Sequence, residues 1–258
     1  MGALLEIEHA TVRYRQAGRG SLTAVDAVDL SLAPGEVLGL VGESGCGKST
    51  LARAVCGLEP LAGGRILFDG QPIRTLGLRR RPPQLVRIQM VFQNPYASLN
   101  PRRRIGSQID DARRVTGRQS ATVAELLADV GLDADAAAKY PHEFSGGQRQ
   151  RVAIARAIAA GPDVLIGDEP IASLDASLQS RIAALMRDVA LRHGASLLFI
   201  SHDLSVVRVI ADRIAVMRSG RIVEQGPAAD VWSHPQDAYT RRLLAAIPIA
   251  DGLGRLPG

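Results

Sequence analysis

Apolar and polar positions alternate in LLEIEHATVRY (Leu4 to Tyr14) and again in TAVDAVDLSL (Thr23 to Leu32), on either side of the turn-rich AGRGS. A period of two interrupted by such a turn predicts antiparallel strands. EVLGLVG (Glu36 to Gly42) is a short, nearly continuous apolar run, the pattern of a buried strand, and LARAVCGL, from Leu51, is helical. RILFDG and IQMVFQ predict further strands. From about Asn94 to Phe144 the pattern becomes helical, most clearly in ATVAELLADVGL, which predicts a helical subdomain inserted between strands. Beyond it the sequence predicts a helix over 147–160, the strand VLIGDE, a long helix over 176–192, the strand SLLFIS, and a hairpin in IAVMRSGRIVEQG turning at Ser219 and Gly220. Strands alternating with helices predict an α/β core with a parallel sheet. There is no internal repeat, so residues 1–258 are read as one domain with a short tail from about 227 to 258.

Composition narrows this picture only slightly. With 46% hydrophobic and 22% charged residues, the 258-residue chain has apolar material for one large core or two smaller ones. A formal charge of +5 suits nucleic acid, an anionic cofactor or an acidic membrane surface alike. The arginines fall in short groups (Arg79 to Arg81, Arg102 to Arg104, Arg241 and Arg242), which read as solvated faces. Aromatics make up 3% of the chain, too few to furnish a stacking surface for single-stranded nucleic acid. Cys46 and Cys56, the two cysteines, lie on the order of 15 Å apart if the segment between them is mostly helical, too far for a disulfide, and fit a reducing compartment. The N-terminus is acidic where a signal peptide is basic, and no run approaches the roughly 18 apolar residues that span a bilayer. Any membrane role is therefore expected to run through partners.

GESGCGKST comprises Gly42, Glu43, Ser44, Gly45, Cys46, Gly47, Lys48, Ser49 and Thr50. It satisfies the phosphate-loop pattern GxxxxGK[ST] and has the context that pattern needs, after an apolar strand and opening a helix. The glycines let successive backbone N–H groups converge on phosphates, and the helix N-terminus adds partial positive charge. Lys48 is expected to reach the β and γ phosphates and Ser49 to bind Mg²⁺. VLIGDEP delivers Asp168 and Glu169 at the carboxyl end of a strand, where open parallel sheets bind ligands. Alone, that acidic pair also fits a helix N-terminal cap. Beside a phosphate loop, Asp168 is expected to hold Mg²⁺ through water, and Glu169 to orient and deprotonate the attacking water. In YPHEFSGGQRQR, the glycine pair before a helical run reads equally as a turn or as an anion-binding surface made of Ser145, Gly146, Gly147 and Gln148.

The phosphate loop, Gln93, SGGQ, the acidic pair, SLD at Ser173 to Asp175, and His202 occur in that order. In this the chain resembles the ATP-binding subunits of ABC transporters over nearly its whole length. The resemblance implies a phosphate-loop α/β core with an N-terminal antiparallel β subdomain and an inserted helical subdomain, and it implies ATP and Mg²⁺ as cofactors. It further implies that Ser145 to Gln148 bind the γ-phosphate held by a second ATPase subunit, the same chain or a related one, so that two chains sandwich two ATP molecules. By the same resemblance Gln93 touches Mg²⁺ and links the site to the helical subdomain, His202 contacts the γ-phosphate, and Asp175 communicates across the dimer. Tyr14, the one aromatic before the phosphate loop, fits the adenine-stacking residue and equally an edge-strand tyrosine.

NPYASLNP after Gln93, YPHEFSGGQRQR and the tail HPQDAYTRRLLAAIP resemble the oligopeptide, dipeptide and nickel branch of bacterial importers. The implied function is ATP-driven solute import, with two transmembrane permease subunits, an extracytoplasmic solute-binding protein acting indirectly, and a peripheral location on the cytoplasmic face of the membrane. The groove beside Gln93, with Tyr96 and Leu99, is expected to receive a permease helix. Some members of this branch carry a cysteine-rich tail; this chain has no cysteine after Cys56. A soluble ATPase of a multienzyme complex, such as one degrading phosphonates, is the alternative function. Nucleic-acid-associated relatives usually carry coiled-coil insertions or two cassettes, and neither occurs here, so no nucleic acid is expected.

Overall fold

The computed structural model describes residues 2–16, 20–77, 82–94, 98–118, 121–172 and 174–247. In chain order its elements are β1 (Leu5–Gln16), β2 (Gly20–Leu32), β3 (Val37–Val41), α1 (Lys48–Val55), β4 (Gly63–Phe68), β5 (Gln71–Pro72), α2 (Pro83–Val86), β6 (Ile88–Val91), α3 (Ile105–Thr116), α4 (Val123–Asp129), α5 (Gly146–Ala159), β7 (Val164–Asp168), α6 (Ala176–Arg192), β8 (Ser196–Ser201), α7 (Leu204–Ile210), β9 (Arg213–Arg218), β10 (Arg221–Pro227), α8 (Ala228–Ser233) and α9 (Ala238–Ala245). Two short 3₁₀ turns, Ala134–Ala138 and Pro141–Glu143, lie between α4 and α5.

The alternation in β1 and β2 buries Leu5, Ile7, Val12, Val25 and Leu30, but its phase slips midway. The inward positions shift from odd to even numbers between Ile7 and Ala10, where the pairing register is irregular and His9 takes φ 47°. Ala27 on the facing strand takes the same φ, and its N–H donates to Thr11 Oγ1 at 3.1 Å. An irregularity of this kind bends the ribbon and re-aims its side chains. The strands form an antiparallel sheet in the order β2-β1-β4-β5.

The second sheet has the order β10-β9-β3-β8-β7-β6 and is parallel except for the edge strand β10. Its central strands VLGLV, VLIGD and SLLFIS are buried along their whole length, which is why they carry apolar runs and not alternation. One face packs on α1 and the antiparallel sheet through Leu38, Leu40, Leu51, Val55, Ile166 and Ile200. The other packs on α5, α6 and α7 through Leu165, Leu197, Phe199, Ile154, Ile182 and Val207. β9 and β10 join through Ser219 and Gly220, both at positive φ, as a two-residue hairpin turn of the I′ kind requires.

The helices between 94 and 144 extend the second core. α4 opens with a capping box, Thr122 Oγ1 accepting from Glu125 N–H while the Glu125 carboxylate accepts from Thr122 N–H. Ile105, Ile109, Leu126, Leu127 and Phe144 pack in the same cluster as Val152 and Ile154 of α5. Leu99 joins that cluster and is 5% exposed. The expectation that Leu99 offers itself to a membrane subunit is therefore corrected, because its side chain is taken up in that cluster; Tyr96 lies outside the described residues. Leu99→Ala is expected to cost about 2–5 kcal/mol of stability, read as a lower urea midpoint. Unchanged unfolding would contradict the burial. Arg102 to Arg104, Arg241 and Arg242 are exposed as expected, and Arg79 to Arg81 lie outside the described residues.

Candidate active site

The carboxyl ends of β3, β7 and β8 lie side by side in the sheet, and each is followed by a chemistry-bearing residue: the loop from Gly42, Glu169, and His202. They line a cleft of about 640 Å³ with Tyr14, Leu22 and Ala24 on one side and Gln93 and Leu243 also on its wall. Gly42, Glu43, Ser44, Gly45, Gly47, Lys48, Ser49 and Thr50 supply its floor. Gly47 sits at φ 112°, and a Cβ there would run into the backbone oxygen of Ala24, so both conformation and space demand glycine.

Lys48 is 4% exposed and its Nζ donates to the carbonyls of Gly42 (2.6 Å) and Glu43 (3.0 Å). The same ammonium lies 3.7 Å from Glu169 Oε1. Cys46 is buried within the loop; burial pushes its thiol pKa up, against the pull of the Lys48 charge. Both cysteines are free thiols, as their spacing predicts. Ser49 Oγ donates to Asp168 Oδ1 at 2.7 Å. Burial raises the Asp168 pKa, opposed by the Ser49 hydrogen bond and by the nearby charges of Arg53 and Lys48.

Glu169 stands at φ 50°, unusual for a residue with a side chain, and its N–H donates to the carbonyl of Ile200 at 3.0 Å. That tie to the neighbouring strand holds the backbone in a costly conformation. Its Oε2 lies 2.8 Å from His202 Nδ1. The carboxylate is thus held between an imidazole and an ammonium on the lining of the cleft.

Ser145, Gly146 and Gln148 are exposed but do not line this cleft. They open α5 with a second capping box: Ser145 Oγ accepts from Gln148 N–H at 3.3 Å, and Gln148 Oε1 accepts from Ser145 N–H at 3.0 Å. Gly147 is buried, and a Cβ on it would lie 2.6 Å from Leu178 of α6, so glycine at this position lets α5 and α6 approach closely. Asp175 is exposed at the start of α6, between Leu174 and Leu178, the residues nearest Gly146 and Gly147, respectively. Signature and SLD segment therefore form one surface, away from the chain's own cleft; Ser173 lies outside the described residues.

Two residues at the cleft were not expected from sequence. Tyr239 Oη accepts from the N–H of Glu43 at 3.1 Å, and Leu243, one turn later on α9, lines the cavity. The signal available was local: Asp237 caps the helix, accepting from Tyr239 N–H, and Tyr239 and Leu243 share a face at i, i+4. Nothing in that spacing says what the face covers.

The ABC transporter family profile matches residues 25–172, more than half of the chain. The chain belongs to the ABC transporter ATP-binding family. It is 44% identical over 255 residues to the oligopeptide transport ATP-binding protein OppF of Bacillus subtilis, covering 96% of this chain and 83% of that one. It is 50% identical over 233 residues to the glutathione import ATP-binding protein GsiA of Escherichia coli K12, covering 88% of this chain but 37% of that longer protein. Among solved structures, the dimeric post-hydrolysis state of the ATP-binding cassette MJ0796 bound to ADP and Pi superposes with a TM-score of 0.74 at 25% identity, over 87% of this chain and 98% of that one. As a member of the family, this ABC cassette binds and hydrolyses ATP, and the cleft described above carries its phosphate loop. The relatives named are transport and import proteins, which favours the importer reading over a multienzyme complex.

Proposed function

We propose that the chain powers import of a peptide or similar small solute by hydrolysing ATP in the cleft, and that ATP-driven closure of a two-subunit assembly is the working stroke. The observation carrying this is the convergence of Lys48, Ser49, Gln93, Glu169 and His202 on one cavity, in a chain so similar to peptide and glutathione import ATPases. Lys48 and the N–H groups opening α1 bind the β and γ phosphates. Ser49 Oγ and Asp168, with the amide oxygen of Gln93, offer the hard oxygen donors that suit Mg²⁺, and a cation relieves the burial cost of the Asp168 charge. Bound Mg²⁺ neutralises charge on the phosphate oxygens. Glu169 takes a proton from the attacking water as its oxygen bonds to the γ-phosphorus and the bond to the bridging oxygen of ADP breaks. His202 holds the Glu169 carboxylate and senses the γ-phosphate beside it. Tyr14 stacks on adenine at the apolar end.

Ser145 to Gln148 and Asp175 act on the nucleotide of a second ATPase subunit, a reading supported by their common surface outside the cleft. The cassette MJ0796 is a dimer in its ADP and Pi state, which supports the same arrangement. Among the described residues no helix is long and apolar enough to cross a membrane. In this reading coupling to transport goes through permease partners, with this chain peripheral on the cytoplasmic face, and its similarity to import ATP-binding proteins supports it. Residues 94–144 form the helical subdomain through which that coupling passes, and 227–258 the tail.

Lys48→Ala tests the phosphate-site assignment. It removes a charge-assisted contact worth about 1.5–3 kcal/mol, so ATP affinity measured by titration calorimetry should fall ten- to a hundredfold and turnover should vanish. Wild-type affinity and turnover in a folded variant would overturn the assignment.

A further inference from the structure

We infer that the C-terminal helix α9 is a working wall of the nucleotide site: Tyr239 positions the phosphate loop, and Leu243 closes the base end of the cleft. The inference rests on the reading of the cleft as the ATP site.

Besides the side-chain contacts of Lys48 and Ser49, two hydrogen bonds from distant elements hold the backbone of the phosphate loop. The Gly220 N–H, in the β9–β10 turn, donates to the carbonyl of Cys46 at 2.8 Å. Tyr239 Oη, on α9, accepts from the N–H of Glu43 at 3.1 Å. Glu43 is the first residue after the opening glycine, so this bond sets where the loop leaves β3 and hence how the later N–H groups converge. Residue 239 is 196 positions away from residue 43, and the bond is not a by-product of local turn geometry.

Tyr239 is built into place. It is 4% exposed, and the guanidinium of Arg218, the last residue of β9, lies over its ring at 5.1 Å from the centroid. Burial raises the pKa of its phenol, with the Glu43 N–H acting the other way, so the hydroxyl stays neutral while it accepts the bond. The start of α9 is anchored to β10: the Glu224 carboxylate accepts from the N–H groups of Gln236 (2.7 Å) and Asp237 (3.0 Å). Anchored there, the helix places Leu243 on the lining of the same cavity as Tyr14 and Leu22. With Ala24 these are the apolar side chains of the lining, and the phosphate loop, Gln93, Glu169 and His202 make up the rest. A planar purine fits between apolar side chains at that end. Leu244 packs against the core but does not line the cavity, so the neighbouring position serves as a control.

The two residues act on different parts of the ligand, and the full-length chain can be titrated with two probes, ATP and inorganic tripolyphosphate. Tyr239→Phe keeps the ring and removes the hydroxyl. Affinity for both probes should fall about two- to tenfold, the KM for ATP rising in step while kcat stays within about twofold. Leu243→Ala should weaken ATP several-fold and leave tripolyphosphate unchanged; Leu244→Ala should change neither. The role of Tyr239 is overturned if its variant binds both probes like wild type and differs only in melting temperature. The role of Leu243 is overturned if its variant binds ATP like wild type, loses both probes equally, or is matched by Leu244→Ala. If wild type itself fails to bind ATP while folded, the cleft reading fails and takes this inference with it.

Discussion

Glu169→Gln should lower ATP turnover by about 10²- to 10⁴-fold while leaving ATP binding nearly intact, because an amide fits the carboxylate's place but cannot take a proton from water. The surroundings of Glu169 make this a clean substitution. Its backbone is held by the bond to Ile200, and Oε2 is held by His202 Nδ1 at 2.8 Å, a contact a glutamine side-chain oxygen can keep. Lys48 sits 3.7 Å from the other oxygen, and this weaker contact is the one the lost charge affects most. With hydrolysis blocked, ATP should act as glue between two cassettes. An ATP-dependent dimer should persist in gel filtration, where wild type returns to monomer as its ATP is spent. Turnover near wild type would remove Glu169 from the role of base. Slow turnover without a dimer would keep that role but require a different partner for closure.

What the sequence disclosed and what it withheld follow from the range of the interactions involved. The phosphate loop was legible because its chemistry is contiguous: glycines, Lys48 and Ser49 must follow one another for the N–H groups to converge. β3, β7 and β8 were legible because burial on both faces removes polar positions altogether. The alternation of β1 and β2 was legible but the slip at His9 was not, because it is an irregularity of both strands that shows only in their pairing, with Ala27 at the same φ. Leu99 misled for a physical reason. A leucine in a proline- and asparagine-rich loop looks available, and whether it turns inward depends on Ile105 and α5, which local pattern does not encode. That Gly147 also packs closely on Leu178 was not legible either, because it depends on the crossing of two helices. The bond from Tyr239 to Glu43 lies wholly in the tertiary arrangement. Periodicity predicts that a helix has an apolar face, never which loop that face meets.

The surface formed by Ser145, Gly146, Gln148 and Asp175 should prove functional only in combination with another chain, and mixing two inactive variants tests this. One partner is Lys48→Ala, with its signature intact. The other is Gly146→Asp, with its phosphate loop intact. Gly146 is the better position than Gly147: it is exposed, and a Cβ there meets nothing nearer than Leu174 at 4.0 Å, whereas any side chain at 147 would collide with Leu178 of α6 and endanger the fold. An aspartate in the first turn also suits the helix dipole, so α5 should form, while its charge repels a γ-phosphate arriving from the partner. In a head-to-tail dimer of these two chains, one site combines both defects and the other combines both intact halves. Random pairing makes about half the dimers mixed, each with one good site of two, so activity should recover to about a quarter of wild type on mixing, from almost none in either variant alone. Recovery below that level indicates that hydrolysis needs both sites at once. If wild type is active and concentration-dependent yet the mixture never exceeds its components, the mixed pair is assayed for ATP-dependent dimers by gel filtration: dimers without activity mean that hydrolysis needs both sites, and no mixed dimer excludes composite sites between copies of this chain. The same pair of defects, placed on opposite members of a heterodimer with a related ATPase, then decides whether the signature serves a different partner.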